Sequence, residues 1–194
     1  MTSIRIKPVS PPPGPAAWNA ILEPLQSFPK LDHVRTADVV VIGGGFAGLS
    51  AARRVKQIEP GASIVILDAD RIAESAAGRN SGFMIDIPHE LTSEDYAGAG
   101  DDRAVIARNR HAIAFASEAV AEYGIADDFF DRCGKVNGAV SDAAGRNNES
   151  FARHLSTLDE PWERLDARDM RALTGSDHYR SGLYTPGAVM LQPA

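Results

Sequence analysis

The stretch DVVVIGGGFAGLS, residues 38–50, limits what this chain can fold into more than any other segment. A short β-branched apolar run, the kind buried on both faces of a parallel sheet, meets glycines at 43, 45 and 48. From Phe46 the pattern changes period, and Gly48, Ala51, Ala52, Val55 and Ile58 recur at helical spacing until Pro60-Gly61 stops them. A second apolar run, SIVILD, follows and stops at Asp68. Residues 37–68 therefore predict a βαβ unit of minimal length, around which a parallel α/β sheet is built.

In that context each glycine has a separate task. Gly43 permits the tight turn, Gly45 lets the backbone approach a pyrophosphate, and Gly48 lets the helix pack on the strand. The helix start at Phe46 and Ala47 presents N–H groups and a positive dipole end to phosphates. Asp68, 20 residues after Gly48, stands where a carboxylate accepts hydrogen bonds from a ribose. No G-K-[ST] follows the glycines, so a P-loop is excluded. The fingerprint by itself fits NAD or FAD. The next segment, AESAAGRNSGFM, favours FAD: small residues with Arg79, Asn80 and Ser81 can lay amides and polar side chains along a pyrophosphate and ribityl chain. A plain polar turn is the competing reading.

Three segments are expected. Residues 1–36 hold seven of the 12 prolines and form an extension, with Trp18, Ile21, Leu22 and Leu25 spaced for a short packed helical turn. Residues 37–100 form the N-terminal part of a nucleotide-binding domain. Residues 101–194 begin with a long helix to Tyr123, whose apolar stripe runs through Val105, Ile106, Ala112, Ile113, Ala116, Ala119, Val120 and Tyr123. KVNGAV predicts a strand, 147–158 a helix through Phe151 and Leu155, and Asp166 caps a further helix carrying Met170 and Leu173. SGLYTPGAVML returns to strand and turn.

Twenty basic against 26 acidic side chains leave a net charge of −6, which gives no basis for nucleic-acid or anionic-membrane binding. No apolar run reaches the length of a membrane span. A lone cysteine, Cys133, allows no intrachain disulfide and points to the cytoplasm; it is expected as a packed small hydrophobe. No metal is expected. The five histidines lack ligand spacing, and His89-Glu90-Leu91-Thr92-Ser93 starts like a zinc motif but ends in serine. Asp127, Asp128 and Asp131 fit a solvated turn before a strand.

DVVVIGGGFAGLSAARRV, VILDADRIAESAAGRNSGFM and GLYTPGAVMLQPA together resemble the D-amino-acid oxidase superfamily of FAD-dependent amine oxidoreductases, from about Ala37 to the last residue. They are similar to its γ-glutamylputrescine oxidoreductase branch, with Ser81 where that branch often has glycine and Asp68 where it usually has glutamate. The resemblance implies a Rossmann-type FAD-binding domain plus the first part of an α+β substrate domain. It implies FAD held by Gly43, Gly45, Phe46, Ala47, Gly48, Asp68, Ala69, Gly78, Arg79, Asn80, Ser81 and Gly82. The activity implied is oxidation of a C–N bond of an amine or amino acid by hydride transfer to the flavin. No catalytic residue is assigned. Members of the family are longer than this chain, so a second polypeptide is expected to supply the remaining FAD and substrate domains. A non-catalytic nucleotide-binding subunit and an NAD-binding dehydrogenase fragment stay open beside this reading.

Overall fold

A computed structural model describes residues 14–23, 28–88 and 102–194 of the chain. These residues fall into two units, one ending at Ser81 and including Pro193–Ala194, the other Gly82–Gln192.

In the first unit β1 (Val39–Ile42) and β2 (Ile64–Leu67) pair in parallel, Val39 opposite Ile64 and Ile42 opposite Leu67. The helix α2 (Phe46–Ile58) crosses between them. A knot at the sheet entrance holds this register. Ser63 N–H donates to Asp38 Oδ2 at 2.8 Å, Ser63 Oγ donates to the same oxygen at 2.7 Å, and Asp38 N–H donates to Ser63 Oγ at 3.0 Å. The Ser63 bonds hold the Asp38 carboxyl below its usual pKa. Upstream lies a four-residue helix, α1 (Ala17–Ala20).

The expected double-sided burial of β1 is not found. Val40 is 54% and Ile42 88% exposed. Side chains alternate along a strand, and Gly48 of α2 lies against Val41, so the helix covers the Val39 and Val41 face only.

The second unit is antiparallel. β5 (Lys135–Ala139) and β6 (Glu163–Leu165) flank β7 (Ser181–Thr185), while β3 (Phe83–Met84) and β4 (Phe130–Asp131) flank β8 (Val189–Leu191). Three helices accompany them: α3 (Asp102–Tyr123), α4 (Asp142–Thr157) and α5 (Ala167–Thr174). Phe151, Ala152 and Leu155 of α4 close with Ile106, Ile87 and Leu183 into the core.

Several expectations need correction here. Helix α4 begins five residues before 147, because Ser141 caps it, its Oγ accepting the Ala144 N–H at 3.2 Å. Tyr123 and Leu173, placed on apolar stripes, are 61% and 62% exposed at the last turns of their helices. Ile21 is 73% exposed, so the α1 turn packs without it. Cys133 is exposed rather than packed, in the link between β4 and β5. The Asp166 cap holds: its carboxylate accepts the N–H groups of Arg168 and Asp169, and Asp169 returns a bond to the Asp166 N–H at 3.0 Å. Leu25 and His89 lie outside the described residues.

Candidate functional site

The glycine turn is built as its spacing requires. Gly43 has φ of +100°, a conformation L side chains rarely adopt, and its N–H reaches Leu67 O at 2.7 Å. A Cβ at Gly48 would lie 1.9 Å from Gly43 O, so α2 can sit on the turn only with a bare Cα there. Gly45 is different. It is the N-cap of α2 and has no side chain to cap it, and a Cβ there would meet only Ala77 Cβ at 3.8 Å. Packing within the unit leaves that position open. A phosphate approaching the N–H groups of Phe46 and Ala47 would use the space.

Asp68, just past β2, is brought to this turn. Its Oδ2 accepts the Gly44 N–H at 2.6 Å and Oδ1 accepts the Asp70 N–H at 3.1 Å. These bonds, Gly44 first, hold the carboxyl below its usual pKa and keep it ionised. Each carboxylate oxygen has a second lone pair, and the residue is exposed, so ribose hydroxyls can still be received. Gly44 was missed from the sequence, although GGG carried the signal. Ala69 follows the acid in an exposed bend.

The loop after Asp68 folds tightly. Ala73 has φ of +63°, and a Cβ at Gly78 would come within 1.8 Å of Ala73 O. Residues Ala76–Arg79 form a 3₁₀ turn. Arg79, expected to face a pyrophosphate, is turned elsewhere: Nε donates to Glu74 O at 2.8 Å and Nη2 to Gly14 O. The Asn80 amide bonds back to Ala77 O, and Ser81 is exposed. Gly82 belongs to the second unit, where it is buried, has φ of +78° and accepts the Leu191 N–H at 2.8 Å. Within the first unit the structure thus joins Gly43, Gly45, Gly48 and Asp68 around one turn, with Gly78 one loop away.

The second unit contains a charged cluster around a buried aspartate, with no simple sequence signal. Asp86 is 1% exposed. Arg110 of α3 donates to its Oδ2 through Nε at 3.1 Å and Nη2 at 3.0 Å, and to both Glu160 oxygens at 3.1 and 2.5 Å. Hydrogen bonding to Glu160, more than burial, sets the Arg110 pKa, which is raised. Lys135, half-buried nearby, is pushed down to about 8 by burial, against the opposing pull of Asp86. Among the described residues no three His, Cys, Asp or Glu side chains gather as a metal site, and no helix is long and apolar enough to cross a membrane.

A parallel βαβ unit with a glycine turn at the helix start and an acid after the second strand defines a nucleotide-binding α/β protein. The family described as DAO, FAD dependent oxidoreductase, matches residues 38–194, and the chain belongs to it. FAD is the family's cofactor, which settles the choice left open by the glycine fingerprint. The turn and Asp68 fit the adenosine diphosphate part of that molecule. Among relatives, γ-glutamylputrescine oxidoreductase of Escherichia coli (strain K12) is 31% identical over 172 residues, 80% of this chain and 36% of the relative. A probable oxidoreductase, OrdL, of Rhizobium meliloti (strain 1021) is 28% identical over 200 residues, covering 96% of this chain and 43% of that protein. The chain spans about two fifths of the length of such relatives. Solved structures share the fold at lower identity. Glycine oxidase from Bacillus cereus has a TM-score of 0.62 at 17% identity, covering 81% of this chain and 40% of that one. L-amino acid deaminase from Proteus vulgaris has a TM-score of 0.61 at 19% identity, covering 87% and 42%.

Proposed function

We propose that this chain is the FAD-holding part of a flavoprotein that oxidises a C–N bond of an amine or amino acid. The observation that carries the proposal is the open N-cap at Gly45 next to Gly44, whose N–H the ionised Asp68 accepts. FAD, when bound, would supply a two-electron acceptor for oxidation of a substrate C–N bond. The chain's own residues bind and orient. Phe46 and Ala47 at the α2 start receive the pyrophosphate, Asp68 receives the ribose, and the loop at 76–81 continues along the cofactor. In this reading residues 37–100 belong to the FAD domain and 101–194 begin the substrate domain. The names of the relatives, among them a γ-glutamylputrescine oxidoreductase, support an amine-type substrate. The exposed face of Val40 and Ile42 supports a second polypeptide packing there. The single cysteine fits a cytoplasmic setting.

Mixing the flavin-loaded protein anaerobically with primary amines, secondary amines and amino acids tests the activity. At least one class is expected to bleach the visible flavin band, with or without a chelator. Bleaching only by another substrate class, or bound flavin that none of these reduces, would contradict it; the latter is the outcome for a non-catalytic subunit.

A further inference from the structure

Residues 14–20 precede β1, and of the chain leading to it residues 28–36 are all exposed. Yet the segment is firmly docked. Ala16 is fully buried, and its N–H donates to Glu74 Oε2 at 2.8 Å. Asn19 Nδ2 donates to Glu74 Oε1 at 3.0 Å, and Trp18 Nε1 donates to the Asn80 carbonyl at 2.8 Å. Arg79 reaches back to Gly14 O. Every one of these bonds ends on the 74–80 loop. The Ala16 and Asn19 bonds hold the Glu74 carboxyl below its usual pKa, so the acceptor stays charged.

The loop's remaining bonds are its own, Arg79 Nε on the Glu74 carbonyl, the Asn80 amide on the Ala77 carbonyl and the Gly78 N–H on the Ser75 carbonyl. Its one regular piece is the 3₁₀ turn, whose N-cap Ser75 makes no side-chain capping bond, and Ala73 sits in the left-handed region. Such a segment keeps one conformation only when its surroundings over-determine it.

We propose that residues 14–20 are a positioning clamp for FAD, holding the 74–80 loop in the shape that receives the cofactor. Trp18 and Glu74 are its two principal positioning residues. Retention of FAD is then set partly from outside the βαβ unit. The proposal rests on the reading of this loop as cofactor-facing, and the test separates the two.

The rate of FAD release from the holoprotein after dilution is measured for Trp18→Phe, Glu74→Ala, Glu74→Gln and Asp68→Ala, beside thermal midpoints of the apoproteins. Trp18→Phe removes one neutral hydrogen bond and should speed release about fivefold. Glu74→Ala removes a charged acceptor and should speed it roughly tenfold or more, with Glu74→Gln between it and the parent. The apoprotein midpoint of Trp18→Phe should fall only slightly, one exposed hydrogen bond being lost, whereas an arm that merely packs would lower it without touching release. Should Glu74→Ala not fold, Trp18→Phe alone decides. Unchanged release in the clamp variants while Asp68→Ala releases faster overturns the clamp and leaves the cofactor reading intact. Unchanged release in Asp68→Ala overturns the cofactor reading itself, and the clamp with it.

Discussion

At the scale of single residues, the nucleotide turn divides its glycines between geometry and access. Gly43 and Gly48 are required by the fold itself, one by its dihedral angle and one by the carbonyl 1.9 Å from its missing Cβ. Gly45 is not required by any neighbouring atom, which is why it marks the ligand side. Asp68 has two tasks, latching the turn through Gly44 and offering free lone pairs outward. Lys135 presents a different balance, with a pKa of about 8 in the folded state against an ordinary 10.5. Between those values the unfolded chain binds more protons, so stability rises with pH over that window. The burial cost of the charged lysine is present in full below pH 8 and disappears as pH climbs to 10.5. Lys135→Met should therefore be at least as stable as the parent at pH 7, and the parent's gain between pH 8 and 10.5 should flatten. Urea unfolding of both proteins across that range checks this; identical slopes would contradict it.

Among the elements, those with a strong local period were legible. β1, α2 and β2 stand out because β-branched runs give way to a 3.6-residue period and back, and Asp166 announces α5. The start of α4 was hidden by Gly145 and the polar Arg146, Asn147 and Asn148, which interrupt the apolar spacing although Ser141 caps the helix. Glu163–Leu165 gave no alternation, since an edge strand of three residues is specified by its pairing with β7 and not by its own pattern. The fastening of α3 was illegible for a related reason: Asp86, Arg110, Lys135 and Glu160 come from four places in the chain. Burial makes that fastening expensive to break. Arg110→Ala leaves the buried Asp86 carboxylate without its guanidinium partner and, with Arg110 itself 43% exposed, should destabilise the protein by about 2 kcal/mol. Arg110→Lys should recover part of this, because an ammonium cannot present the fork that spans both acids. Denaturant titration measures both; a loss under about 1 kcal/mol for Arg110→Ala would contradict a mutually dependent network anchored on the buried Asp86.

For the whole molecule, the sequence carried the cofactor class further than the site's surroundings. The glycines and the acid lie within one βαβ unit and obey fixed spacing, so they could be read off. Nothing local showed that Arg79 would turn toward Gly14, or that Glu74 would receive an N-terminal arm 58 positions away. Nor did the apolar run of β1 reveal that Val40 and Ile42 would stand exposed, since exposure depends on what packs there rather than on the strand itself. The central claim is that the turn at 43–48 and Asp68 hold FAD. Its most direct test is to isolate the chain, tagged, from its native cells with whatever polypeptides accompany it, and to denature it and identify the nucleotide released. The account predicts FAD in one-to-one proportion with this chain, lost on Gly45→Val with the polypeptides still assembled. Release of NAD, of no nucleotide, or of the same FAD from Gly45→Val would contradict it.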